Sequence, residues 1–166
     1  MRFKNDLTAD EVWSLFDYNP ETGEFRYKIR KGGRASVGKL AGFFDGKYFR
    51  LEINGRSYQA SRVAWLWYTG EWPKEEIDHK DGNTSNNRFL NLRPASRAGN
   101  NQNRGIHRHN TSGVKGVSFY KPNGKWLARI AVNNKAIHLG YFVTIEEASE
   151  AYANAAREHF GDFART

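Results

Sequence analysis

The sequence predicts an α+β protein: small β-hairpins and short helices around a ββα core, then a three-stranded antiparallel sheet packed on one helix. Three observations predict it. Strand-forming runs are separated by hairpin signals, of which Asn54-Gly55 is the strongest. Two capping boxes, Thr8 with Glu11 and Thr144 with Glu147, open helical patterns near the two ends. A polar segment from Gly105 to Gly113 separates the two patterned stretches, which predicts a linker over 105–112 between domains at 1–104 and 113–166.

The elements follow in order. After Thr8, the apolar residues Val12, Leu15 and Phe16 recur at helical spacing, so a helix is expected at about 8–17. Asn19 to Gly23 reads as a turn, and Glu24 to Ile29 alternates as a strand. Tyr48–Ile53 and Arg56–Ala60 flank Asn54-Gly55 as a hairpin. The apolar run Ser61–Tyr68 suits a short buried helix, stopped by Gly70 and Pro73. From Ile77 the chain reads as strand, then an Asn-rich loop, then a helix from Ser96. Three strands are expected near 115–120, 125–132 and 135–142, with Asn123-Gly124 and Asn133-Asn134 at the turns. A helix from Thr144 ends at Gly161.

Composition bounds the function. Of the 166 residues, 39% are hydrophobic and 14% aromatic, enough to build the thin cores of small domains. Cysteine is absent, which excludes disulfides and any zinc site with Cys ligands. No signal peptide or membrane-length apolar run is visible, so a soluble cytoplasmic protein is expected. The formal charge is +8, which favours a polyanionic partner, nucleic acid first. Between Gly82 and Asn110 stand Arg88, Arg93, Arg97, Arg104 and Arg108 with no acidic residue, a candidate phosphate-contacting surface.

The chemistry concentrates after Ile77. Asp78 and His79 are adjacent, and Asn91 and Asn100 lie 13 and 22 residues beyond Asp78. A strand, a loop, a second strand and a helix fit that span and can gather these side chains. The Asp78 carboxylate and the Asn100 amide oxygen are hard ligands for a divalent cation, leaving positions for phosphate and water. His79 can take a proton from an attacking water, provided that a carbonyl partner holds its other ring nitrogen. Asn91 can orient the loop or the imidazole. Asn101 and Asn103 compete with Asn100 for the ligand role, and helical register alone does not choose among them. His107 and His109 are expected to be solvated.

The run IDHKDGNTSNNRFLNLRPASRAGNNQNR resembles the HNH motif of phage and intron homing endonucleases, a family with the ββα-metal fold. The resemblance implies Asp78 and Asn100 as metal ligands, His79 as general base, Asn91 as a supporting residue, a core at about 61–104, and magnesium or another divalent ion such as manganese. It extends upstream through NPETGEFRYK and TGEWP, with Ser61 where relatives carry His.

The segment after Gly113 alternates in its second strand, with Trp126, Ala128, Ile130 and Val132 on one face. Ile137 and Leu139 are expected inward in the third strand, and Ala148, Ala151, Tyr152, Ala155 and His159 form one helical stripe. SGVKGV, HLGYF and EEASEAYANAAREHFGDFA resemble the DNA-binding domain of plant ethylene-response factors, the Apetala-two type. That resemblance implies the sheet-on-helix fold, although the plant domains carry several Arg and Trp where Ser118, Tyr120, Arg129 and His138 stand. The alternation leaves Tyr120, Lys125, Arg129 and His138 on the open face, which can enter the major groove, so these with Lys115 and Ser118 are the expected DNA contacts. The expectation for the whole chain is a site-directed endonuclease on double-stranded DNA, with a non-catalytic DNA-binding regulator as the alternative. An RNA reader is disfavoured because no exposed stacking motif is evident in the sequence. The sequence does not decide between monomer and homodimer.

Overall fold

The computed structural model describes residues 5–30, 36–103, 105–106, 109–133 and 135–164. Arg104, His107, Arg108 and Asn134 lie outside the described residues. The contacts divide the chain into two compact units, Met1–Ala95 and Ser96–Thr166. The structure is α+β throughout, with small antiparallel sheets and a C-terminal three-stranded sheet backed by a helix. Among the described residues no helix is long and apolar enough to cross a membrane.

The first unit begins with helix α1, Ala9–Leu15. Its capping box is formed: the Glu11 N–H donates to Thr8 Oγ1 at 3.2 Å, and the Glu11 carboxylate accepts from the Thr8 N–H at 2.7 Å. The helix stops earlier than its apolar spacing predicts. Phe16 is extended and opens strand β1, Phe16–Tyr18, which pairs with β2, Phe25–Tyr27. Pairing buries Phe16, Tyr18 and Phe25 together, and that packing outweighs one more helical turn. Strands β3 (Phe43–Phe44), β4 (Phe49–Ile53) and β5 (Arg56–Gln59) form a second sheet. Asn54 and Gly55 join β4 to β5 with φ of 51° and 71°, the left-handed pair that a two-residue hairpin requires.

Helix α2, Ala60–Thr69, follows and ends on Gly70, whose left-handed conformation lets its N–H reach Leu66 O. Val63 and Leu66 of α2 meet Val12, Phe16, Phe25, Leu51 and Ile53 in the core. Full burial of each such side chain is worth about 1.5–3 kcal/mol. Strands β6 (Glu76–His79) and β7 (Leu92–Ala95) make a separate antiparallel pair, connected by a loop that ends in a 3-10 turn at Phe89–Asn91.

The second unit opens with helix α3, Arg97–Gln102, capped by Ser96, whose hydroxyl accepts from the Gly99 N–H at 3.1 Å. Strands β8 (Val117–Tyr120), β9 (Lys125–Val132) and β10 (Lys135–Phe142) form an antiparallel sheet in the order β10-β9-β8. Helix α4, Ile145–Phe160, packs on one face of that sheet, and its Thr144–Glu147 capping box is formed. Ala128, Ile130, Ala148, Tyr152, Ala155 and Ala156 are the buried seam, with Val117 beside them. The small alanines let helix and sheet approach closely. The stripe turns away before His159, which is exposed, and Ala156 takes the buried place. Ile137, expected inward, is also exposed, near a register shift between His138 and Gly140.

Candidate active site

Strand β6 delivers Asp78 and His79 into the protein, both 4% exposed. The segment before it is held by Arg62 of α2, whose guanidinium donates to the backbone carbonyls of Pro73 (3.0 Å) and Glu75 (2.7 Å). Opposite Asp78 on β7 stands Arg93. Its Nε and Nη2 both donate to Asp78 Oδ2, at 2.9 and 2.7 Å, a charge-assisted pair with little solvent access. Arg93, grouped by sequence with the phosphate-contacting arginines, is therefore engaged with the carboxylate across the ladder.

The imidazole of His79 meets a residue that the sequence did not single out. His79 Nε2 lies 3.2 Å from Oδ1 of Asn87, which is 2% exposed. Asn87 Nδ2 donates to Ser85 O at 3.4 Å, which fixes the amide so that its oxygen faces the ring. An amide oxygen only accepts, so Nε2 carries the proton and Nδ1 holds the lone pair. Burial pushes the His79 pKa below its ordinary value of 6.5, against the Asn87 hydrogen bond and the nearby Asp81 and Asp78 charges. The ring is thus neutral at pH 7.

Asn87 is held from far away in the sequence. Its carbonyl accepts from the Tyr18 hydroxyl at 2.6 Å, and burial raises that phenol's pKa. The turn at 19–23 closes over the same loop, where Phe89 N–H donates to Pro20 O at 2.9 Å. Gly23, at φ 77°, sits so close that a Cβ there would stand 2.5 Å from Arg88 N. No side chain fits at this approach.

Asn91 organises the loop between the strands and not the imidazole. Its amide donates to Asp81 Oδ1 (3.0 Å) and Asn86 O (2.8 Å), and its Oδ1 accepts from the Asp81 N–H (3.1 Å). Partial burial raises the Asp81 pKa, but hydrogen bonds from Asn86, the Asn83 N–H and Asn91, with the nearby His79, lower it overall.

Asn100 stands on α3 in the second unit, partly buried, with its N–H on Ser96 O at 2.9 Å. Its competitors differ: Asn101 is exposed, and Asn103 is buried at the C-cap. Arg88 and Arg97 are exposed, and Arg104 is outside the described residues. On the C-terminal sheet Tyr120, Lys125, Arg129 and His138 are exposed and Ser118 is half-buried. Lys115 is half-buried, and its ammonium donates to Gln102 O at 2.8 Å.

A buried strand with an adjacent carboxylate and imidazole, closed by an Asn-held loop, is a site of the HNH nuclease class. The chain belongs to the HNH endonuclease family, which residues 58–102 match. It is 34% identical over 112 residues to Protein 3.8 of Escherichia phage T7, an alignment that takes in 65% of this chain and 92% of the phage protein.

Proposed function

We propose that the chain is a DNA endonuclease that hydrolyses phosphodiester bonds in duplex DNA with a divalent cation, acting at a specific site as a phage homing enzyme does. The observation that carries this reading is the His79 imidazole, buried beside Asp78 and held through Nε2 by Asn87. Its Nδ1 lone pair accepts the proton of the attacking water. The donor chemistry of Asp78 and Asn100, one carboxylate and one amide oxygen, fits a hard cation such as magnesium or manganese. Such an ion, when bound, offsets charge building on the scissile phosphate and helps the leaving oxygen depart. Arg93 holds the Asp78 carboxylate in place from the neighbouring strand. Asn91 shapes the loop, and Arg88, Arg97 and Arg104 contact phosphates.

The division of labour follows the sequence expectation: a nuclease domain over 1–104, a linker at 105–112, and a DNA-binding domain over 113–166 of the Apetala-two kind. The outward faces of β8, β9 and β10, with Ser118, Tyr120, Lys125, Arg129 and His138, contact DNA, with Lys115 beside them. The soluble cytoplasm of a bacterial host is where such an enzyme would meet its substrate.

The deciding experiment is plasmid cleavage by the purified chain with magnesium, manganese or calcium, and end-mapping on host or phage DNA. Metal-dependent nicking that disappears in His79→Ala supports the endonuclease. A second reading, a non-catalytic DNA-binding regulator, draws on the Arg93 guanidinium already seated on Asp78. It prevails if the chain shifts duplex DNA yet cuts with none of the three ions.

A further inference from the structure

Tyr141 stands on the outer face of the C-terminal sheet, where a strict two-residue period would not place it. On β10, Ala136 and His138 lie opposite Ala131 and Arg129 of β9. The alternation would next send Gly140 outward and Tyr141 inward. Instead the register slips: His138 pairs with Arg129 and Gly140 with Ala128, so Leu139 is one residue extra. Leu139 packs against the core, and Tyr141 comes to lie opposite Leu127, facing out. Gly140 carries the irregularity at φ 142°, a conformation that side chains rarely adopt.

The bulge creates a row of rings. The Tyr141 ring centroid is 5.3 Å from that of Tyr120, reaching over β9, and 4.9 Å from that of His138. Tyr141 is 42% exposed. Lys125 lies opposite Tyr120, and Arg129 lies opposite His138. Among the described residues neither cation has an ion pair. No Asp or Glu occurs between Gly82 and Ile145, and the acids of the second unit are Glu146, Glu147, Glu150, Glu158 and Asp162, on α4 and the turn after it. The sheet face therefore offers cations and rings with no opposing charge, the complement of a polyanion.

We infer that Tyr141 is a specificity-determining residue of this face, reading thymine in the major groove of duplex DNA. The inference rests on the DNA-binding reading of the C-terminal unit. Tyr141 carries no charge, so it adds nothing to phosphate attraction. Its flanking rings limit its freedom and hold it ready for contact. The edge that an aromatic ring can distinguish is the thymine C5-methyl, with the phenol hydroxyl available to a base acceptor. Lys125 and Arg129, on either side, supply phosphate or guanine contacts.

The test selects binding sites from a random duplex library with the full chain carrying His79→Ala, which removes cutting. The recovered duplex is then titrated at several salt concentrations. Tyr141→Ala is expected to lose a thymine preference at one position and to weaken the selected duplex by about tenfold. Its slope of log Kd against log salt stays unchanged, whereas Arg129→Ala lowers the slope by about one. Tyr141→Phe keeps the ring and keeps the thymine preference. Thermal melting of each variant at the parent temperature shows that the sheet is intact. The inference is overturned if Tyr141→Ala recovers the same consensus at the same affinity, or if it weakens selected and unrelated duplexes equally. If the parent chain enriches no sequence, the DNA-reading assignment of the unit falls and Tyr141 falls with it. An unchanged consensus in Tyr141→Ala removes Tyr141 alone.

Discussion

The two units handle their polar side chains in opposite ways. In Met1–Ala95, Asp78, His79 and Asn87 are buried and each has a named partner: Arg93, Asn87 and Tyr18 respectively. In Ser96–Thr166 the core is Val117, Ile130, Tyr152 and alanines, with Trp126, Phe142 and Phe160 packed against it; Asn103 is buried, but Tyr120, Lys125, Arg129 and His138 stand exposed on the sheet. Where function is buried, a substitution disturbs folding and activity together. Where side chains lie on the outside of a finished core, a substitution leaves folding nearly untouched. The first arrangement fixes a geometry, and the second leaves a surface whose side chains can vary without cost to the core.

The comparison can be broken by substitution. The largest effect is expected on the imidazole: His79→Ala should lower the nicking rate by about 10²–10⁴-fold, the usual worth of a general base, read from single-turnover plasmid cleavage. Arg93→Ala comes next. It strips the guanidinium from a carboxylate with only 5% of its side chain exposed, and should cost about 3–5 kcal/mol in urea unfolding. If Arg93→Ala unfolds like its parent, the buried pair does not constrain the fold. Gly23→Ala places a methyl against the Asn87–Arg88 backbone in a left-handed conformation, and a loss of about 1–3 kcal/mol is expected.

Asn87 sharpens the contrast further. Asn87→Ala should reduce kcat with little change in KM, and Asn87→Asp, which keeps an acceptor at Nε2, should restore part of the rate. The smallest effect is a pH dependence. The Tyr48 N–H first, then Arg50 and the Lys47 N–H, hold the Asp45 carboxyl down to about 2 from 3.8. Its contribution is complete above pH 3.8 and is lost as pH falls toward 2. Asp45→Asn should flatten the melting temperature over that window and leave it unchanged in shape at neutral pH.

Much of this was legible in the residues. The Asn54-Gly55 hairpin, the two capping boxes, the helix stopped by Gly70 and the alternation of β9 all follow from local rules, and all are present. Asn87 was not legible. Asn83, Asn86, Asn87 and Asn91 share one loop, and each can cap a turn; what brings Asn87 to the imidazole includes Tyr18, 69 residues earlier, which no local rule reveals. Arg93 looked like a free cation until the ladder set it opposite Asp78. Tyr141 escaped because one extra residue inverts the parity of everything after it.

Gly23 has a practical corollary for anyone trimming the molecule. The family match begins at residue 58, yet the clasp over the His79 loop is built from residues 18–23. A fragment started at the family boundary would keep every HNH residue and discard the hand that grips them. The minimal nuclease is therefore longer at its amino end than the motif that names its family.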